Sequence, residues 1–192
     1  MPLTDEIIVV SGLPRSGTSL MMQMLHRSGI PVVTDEVRVA DDDNPRGYYE
    51  FEAVKRTKHD SSWIQAARGR AVKLVSSLLY DLPPTESYRI LFMQRDLEEM
   101  LESQEKMLRR LGRPTAPRDQ IRKSFGIHLE RLREWLPQQA HLKTQFVSYN
   151  RLLTDPREEA AVIVEFLEGL PTAESMLAAI DPSLYRNRAP QS

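Results

Sequence analysis

The chain has 192 residues and a formal net charge of −1, so it is long enough for one domain and has no excess of positive charge for general binding to nucleic acids or acidic membranes. It contains no cysteine, which excludes disulfides, thiolate catalysis and cysteine-based metal sites. No apolar run approaches the roughly 20 residues that span a bilayer, and the N-terminus lacks a signal-peptide pattern. We therefore expect one domain over residues 1–192, cytoplasmic, with no membrane span and no nucleic-acid partner.

Short apolar segments alternate with amphipathic ones along the chain. The apolar segments predict strands at 7–10, 71–75, 88–93 and 144–149. Helical spacing of apolar residues predicts helices from about 20 to 29, at 51–69, 97–111, 119–136, 156–167 and 172–180. The first strand is a continuous apolar run, which is typical of strands buried on both faces. This alternation predicts a three-layer α/β fold whose mainly parallel central sheet is flanked by helices.

The loop after the first predicted strand is rich in groups that bind anions. Residues 12–19 read Gly-Leu-Pro-Arg-Ser-Gly-Thr-Ser. Two glycines between a buried strand and a helix let backbone N–H groups converge on an anion at the helix N-terminus. A Walker A motif would need lysine at Thr18, but the nearby cation here is Arg15, so a kinase or nucleoside triphosphatase loses its main support. The alternative is a plain strand-to-helix turn whose glycines only close the bend.

This loop is similar to a loop of known proteins. Pro-Arg-Ser-Gly-Thr-Ser at 14–19 resembles the 5'-phosphosulfate loop of sulfotransferases, especially the form found in tyrosylprotein and many bacterial members. The resemblance implies a fold like that of P-loop nucleoside triphosphate hydrolases and 3'-phosphoadenosine 5'-phosphosulfate (PAPS) as the sulfuryl donor. The residues that it implies for the 5'-phosphate and the sulfuryl group are Arg15, Ser16, Gly17, Thr18 and Ser19.

A second motif matches the family's site for the 3'-phosphate. Arg95 follows the third predicted strand, and Ser103 lies eight residues later in the next predicted helix. An arginine at the carboxyl end of a parallel strand points into the crevice where such sheets bind ligands, and its planar fork suits a phosphate. The alternative is that Arg95 pairs with Asp96 or Glu99 and that Ser103 is an ordinary helix-surface residue. The two motifs together favour a single nucleotide site.

The resemblance also implies candidates for the chemistry. In the tyrosylprotein branch a Glu-x-Arg element follows the phosphate loop, and Glu36-Val37-Arg38 stands at the matching distance, 21 residues after Arg15. It implies Glu36 as the general base and Arg38 as a substrate-side cation; a loop salt bridge between the two is the alternative. Histidine is the base in the cytosolic branch, and among the four scattered histidines His59 is the nearest candidate.

Three further residues are candidates for the site. Lys73 lies in an otherwise apolar predicted strand, where a lysine is hard to bury without an anion. It is expected to stabilise charge during transfer together with Arg15, unless it merely reaches solvent. Tyr48 and Tyr49 either line the acceptor pocket or fix their loop on the core.

The predicted activity is therefore that of a PAPS-dependent sulfotransferase, with adenosine 3',5'-bisphosphate as product. No metal is expected, because the histidines have no paired spacing. The acceptor is an unidentified hydroxyl or amine on a small molecule or peptide. A nucleotide-binding module without catalysis and a P-loop kinase that acts on a small molecule are the alternatives.

Overall fold

The computed structural model describes residues 3–35 and 47–180. Its strands are β1 (Ile7–Gly12), β2 (Ala71–Val75), β3 (Tyr88–Gln94) and β4 (Leu142–Ser148). Its helices are α1 (Thr18–Arg27), α2 (Leu97–Arg110), α3 (Arg118–Trp135), α4 (Tyr149–Thr154), α5 (Pro156–Phe166) and α6 (Ala173–Leu177). Short 3₁₀ helices span Leu3–Asp5, Glu52–Arg56, Gln65–Ala67, Ser76–Asp81 and Leu136–Gln138. None of the helices in these ranges is long and apolar enough to cross a bilayer.

The four strands form one parallel sheet in the order β2-β1-β3-β4. Gly12 at the end of β1 lies opposite Val75 of β2 on one side and Met93 of β3 on the other. The carboxyl ends of these three strands therefore meet at one edge of the sheet, next to the segment that begins with Gly12. This is the edge at which open α/β sheets bind ligands.

The sheet is buried on both faces. Ile8 and Val10 belong to a core that also contains Met21 of α1 and Ile163 of α5. The intervening residues of β1 belong to a second core, which includes Leu79 and Leu132. The predicted three-layer α/β fold is thus confirmed, because alternate residues of one strand pack into two separate apolar layers.

The structure differs from the prediction most clearly in two regions. The expected helix over 51–69 is absent, and two 3₁₀ helices stand in its place. Val54, Ile64 and Ala67 are buried there, too widely spaced to form a helical apolar stripe, and the backbone N–H of Ser62 bonds the Asp60 carboxylate in a turn. The last strand ends at Ser148 rather than Tyr149, because the Ser148 side chain accepts a hydrogen bond from the Arg151 N–H and so caps α4.

Candidate active site

The loop between β1 and α1 has a backbone that glycine makes possible. Gly17, which precedes α1, has φ of 99°, and Arg15 has φ of 69°. A Cβ atom on Gly17 would lie 2.3 Å from Cδ2 of Tyr149, and one on Gly12 would lie 2.4 Å from Oγ of Ser16. Both the left-handed backbone and the lack of space therefore require glycine at position 17. The loop is packed tightly against the start of α4.

The two predicted phosphate motifs meet in space. Nε of Arg15 donates a hydrogen bond to Oγ of Ser103 at 3.0 Å, and Nη1 of Arg95 donates to the backbone carbonyl of Arg15 at 3.3 Å. Ser103 is 4% exposed, so it is not an ordinary residue of the helix surface. Positions that are 88 residues apart in the chain thus form one polar cluster at the carboxyl edge of the sheet.

Arg95 is held in place from two sides. Its Nε donates to Oε2 of Glu99 at 3.0 Å, the ion pair that the alternative interpretation expected. Its guanidinium group lies 4.5 Å from the ring centre of Tyr149. Nδ2 of Asn150 bonds the same Glu99 oxygen at 3.2 Å. The ion pair therefore coexists with the contact to the loop and fixes the orientation of the guanidinium fork.

Two buried hydroxyl groups of the loop region lack partners. The Oγ atoms of Ser11 and Ser16 are inaccessible to solvent and form no hydrogen bond within the described residues. Buried hydroxyls are normally satisfied, and Ser16 lies where backbone N–H groups precede a helix N-terminus. A tetrahedral anion seated in this loop would satisfy Ser16, so the residues present fit the 5' end of a nucleotide such as PAPS.

Lys73 of β2 reaches toward the start of α1. Its Nζ donates to the backbone carbonyl of Tyr48 and lies 3.5 Å from Oγ of Ser19 and 3.8 Å from Oε1 of Glu50. The Lys73 side chain is 12% exposed, which does not match the alternative in which it extends into solvent. A largely buried ammonium group beside the loop provides positive charge where a transferring anion would lie.

The two tyrosines have different environments. Tyr48 is 4% exposed, and its carbonyl also lies 3.4 Å from Oγ of Ser19, so it fixes its segment to the loop. The hydroxyl of Tyr49 is 3.4 Å from Nδ1 of His26, and burial raises the pKa of Tyr49. A substrate-binding role for either residue stays a prediction.

The remaining candidates are Glu36 and Arg38, which lie outside the described residues, so their roles stay predictions. His59 is exposed. No group of three or more potential metal ligands occurs within residues 3–35 and 47–180.

Sequence reasoning did not assign Tyr149, Asn150 or Glu99 to the site. Tyr149 lies under both Gly17 and Arg95, and the Oδ1 atom of Asn150 accepts the N–H of Asp96 at 3.2 Å. The available signal was position, because the segment after β4 begins at the same edge of the sheet as the loop. Glu99 and Tyr149 position Arg95, and Tyr149 also packs against the loop that carries Arg15.

Comparisons with known proteins agree with the α/β fold and identify the family. The sulfotransferase domain family model matches residues 5–187. The sulfotransferase domain of an olefin synthase from Synechococcus PCC 7002 is a similar structure, with a TM-score of 0.55, 16% identity, and coverage of 100% of this chain and 91% of that one. A sulfotransferase domain from the curacin biosynthetic pathway is also similar, with a TM-score of 0.51 and 16% identity. The match covers 100% of this chain and 93% of that one. No curated protein sequence matches significantly. The chain is therefore a member of the sulfotransferase family.

Proposed function

We propose that this sulfotransferase uses PAPS as its donor and transfers the sulfuryl group to a hydroxyl or amine of its acceptor. The observation that carries the proposal is the contact between the two phosphate motifs, in which Arg15 bonds Ser103 at 3.0 Å while Arg95 bonds the Arg15 carbonyl. A donor with phosphate at both the 5' and the 3' position needs two anion sites joined in this way. A nucleoside triphosphate would not need the second site.

The residues of the cluster divide the work of transfer. Arg15, Ser16 and the backbone N–H groups of residues 17–19 would bind the 5'-phosphate and the sulfuryl oxygens, while Arg95 and Ser103 would bind the 3'-phosphate. Lys73 lies beside Ser19 and would stabilise the negative charge that develops on the bridging oxygen. The structure of the cluster therefore supports electrostatic stabilisation and in-line positioning as the main contributions.

The bond changes balance without a further reactant. The donor supplies the sulfuryl group: the bond between sulfur and the 5'-phosphate oxygen breaks as the acceptor oxygen or nitrogen bonds to sulfur. Glu36 is proposed to take the acceptor proton as general base. The products are the sulfated acceptor and adenosine 3',5'-bisphosphate.

Transfer of labelled sulfate from PAPS to a panel of phenols, alkyl alcohols and amines tests the proposal. Wild type is expected to label at least one class. Glu36→Gln is expected to bind adenosine 3',5'-bisphosphate normally and to lose transfer by about a hundredfold or more. Glu158→Gln, which changes an exposed carboxylate of α5, is the matched control and should keep full transfer.

The results separate the alternatives. Binding of the bisphosphate without transfer to any acceptor would favour the nucleotide-binding module. Magnesium-dependent preference for ATP would favour the kinase. Transfer by Glu36→Gln at the wild-type rate would assign the base to another residue.

A further inference from the structure

The ammonium group of Lys73 has an acidic neighbour at the carboxyl edge of the sheet. Nζ of Lys73 donates to the backbone carbonyl of Tyr48 and lies 3.5 Å from Oγ of Ser19, and Oε1 of Glu50 is 3.8 Å away. The side chains of Lys73 and Glu50 are 12% and 26% exposed, so this ion pair is largely withdrawn from water. Lys73 already has a proposed role in transfer, whereas Glu50 has none.

The backbone that carries Glu50 is held by a neighbouring segment. Its carbonyl accepts hydrogen bonds from Oγ1 of Thr34 at 3.0 Å and from the N–H of Asp35 at 3.2 Å. Two residues later, the N–H of Glu52 donates to Oδ2 of Asp35 at 2.6 Å. The Glu50 carboxylate therefore extends from a backbone that three hydrogen bonds keep in place.

The chain turns sharply between the two groups that meet Lys73. Tyr49 has φ of 51°, a left-handed conformation that is uncommon for a residue with a large side chain. The residues on either side of it contact the same ammonium group, Tyr48 through its carbonyl and Glu50 through its carboxylate. Backbone strain of this kind persists only where surrounding contacts compensate for it. The shared contact with Lys73 is one such compensation.

The charge of Lys73 depends on its neighbours. Burial disfavours the charged form of an amine, and a nearby carboxylate favours it. Titratable groups of the described residues that face Nζ include the Glu50 carboxylate and the phenol of Tyr48, whose ring centre is 5.9 Å away and which is neutral at physiological pH. Ser19 of α1 and Val10, which pairs with Lys73 in the sheet, add no charge. Glu50 is therefore well placed to keep the amine protonated.

We propose that Glu50 is a positioning residue for sulfuryl transfer, whose carboxylate keeps Lys73 charged and holds its Nζ beside Ser19 at the start of α1. Lys73 meets the oxygens of the transferring group, and Glu50 acts through Lys73. Glu50 stays a carboxylate throughout and takes no proton from the acceptor. This inference rests on the proposed sulfotransfer from PAPS.

Acetylation of the protein without nucleotide tests the ion pair and needs no acceptor. Only a neutral amine reacts with an acetyl succinimidyl ester, so the rate at which Lys73 is labelled between about pH 7 and pH 11, followed by mass spectrometry, reports its protonation. In Glu50→Gln the midpoint of this curve is expected about one pH unit lower than in wild type, with about tenfold faster labelling at pH 8. Glu52→Gln, which removes the carboxylate of an exposed pair with Lys55, is the matched control and should leave the curve unchanged.

The pH profile of kcat tests the consequence for transfer. With labelled PAPS and the acceptor that wild type labels best, Glu50→Gln should lower kcat, and the loss should grow about threefold between pH 7 and pH 10 as Lys73 becomes neutral. An arginine at position 73 stays charged over this range. Glu50→Gln/Lys73→Arg should therefore show the same pH profile as Lys73→Arg alone. A merely structural role for Glu50 would lower kcat equally at every pH.

The outcomes separate this inference from the proposed function. An unchanged labelling midpoint in Glu50→Gln, or faster labelling without a shift of the midpoint, would overturn the role of Glu50. An alkaline loss that persists with arginine at position 73 would do the same, and loss of the acid limb of the kcat profile would instead make Glu50 the proton acceptor. Binding of adenosine 3',5'-bisphosphate is measured on the same samples. If wild type neither binds it nor transfers sulfate, the proposed function fails and the role in transfer with it, while the labelling curve still decides whether Glu50 controls the charge of Lys73.

Discussion

The two edges of the sheet carry charge in different ways. At the amino edge, the buried Glu6 bonds Arg89 and lies 2.8 Å from Nζ of Lys143, and Arg89 also bonds Glu168 and the Phe166 carbonyl. All of these partners belong to the chain itself. At the carboxyl edge, Arg15 and Arg95 are oriented by their neighbours around a loop whose buried Ser16 hydroxyl lacks a partner within the described residues.

This difference separates a structural cluster from the proposed binding cluster. A buried charge that is completed by its own chain contributes to folding, and its loss is costly. A loop with a left-handed backbone and a buried hydroxyl that forms no hydrogen bond is instead suited to a ligand that supplies the missing hydrogen bond. Loss of a charged side chain at the amino edge should therefore change mainly stability, and loss of a charged side chain at the carboxyl edge should change mainly nucleotide binding.

The largest expected effect is on stability at the amino edge. Arg89→Met leaves Glu6 buried with Lys143 as its remaining cation, so the free energy of unfolding should fall by about 4 kcal/mol. Urea denaturation measures this change. Lys55→Met, which removes an exposed pair with Glu52, should leave the midpoint near that of wild type. Similar midpoints for the two variants would refute the structural role of the amino-edge cluster.

The next effect comes from the loop itself. Gly17→Ala combines a left-handed backbone with a clash against Tyr149, so it should destabilise the fold by about 3 kcal/mol and weaken bisphosphate binding. Gly29 has φ of 89°, but a Cβ atom added there would meet no other atom within 4 Å. Gly29→Ala therefore isolates the backbone cost and should lose about 1 kcal/mol without any effect on binding. If Gly17→Ala and Gly29→Ala lost equal free energy of unfolding in urea denaturation, the tight packing of the loop on Tyr149 would be contradicted.

At the proposed 3'-phosphate site, Arg95→Ala should weaken binding of adenosine 3',5'-bisphosphate about thirtyfold and that of adenosine 5'-phosphate much less. The physical reason is the loss of a charge-assisted bond to the 3'-phosphate alone. Arg95→Lys keeps the charge without the planar fork, so its affinity for the bisphosphate should lie between those of wild type and Arg95→Ala. Calorimetry with both nucleotides checks this, and equal losses for the two would remove Arg95 from the site.

The smallest effect is a pH dependence. Burial alone would raise the pKa of Glu6, but hydrogen bonds from Arg89 and Lys143 outweigh it and hold the pKa below its usual value. A lowered pKa means that the stabilisation is present above the ordinary carboxyl range near 4.5 and is lost as pH falls through the folded-state value. The denaturation midpoint of wild type should therefore drop in acid. Glu6→Gln should show a shallower pH dependence, and an unchanged slope would contradict the assignment.

Local patterns in the sequence were sufficient for most of the fold. The apolar run 7–10, the glycine loop and the segment 88–93 fixed the order of strand, loop, helix and strand. The region 51–69 was predicted wrongly because it is held by a few separate buried residues rather than by a periodic stripe. The α4 helix was missed because its cap, Ser148, also ends a strand.

The site was predictable only in part. Arg15, Arg95 and Ser103 belong to short motifs, so sequence alone singled them out. The contact between Arg15 and Ser103, and the support of Arg95 by Tyr149, depend on strand order and on contacts between distant segments.

Calorimetric titration with adenosine 3',5'-bisphosphate, compared with adenosine 5'-phosphate and with ATP plus magnesium, tests the central claim most directly. The account predicts that the bisphosphate binds most tightly and needs no metal, because Arg95 and Ser103 are proposed to add a second anion site to the loop around Arg15. Equal affinity for the bisphosphate and the monophosphate, or preference for ATP with magnesium, would contradict it.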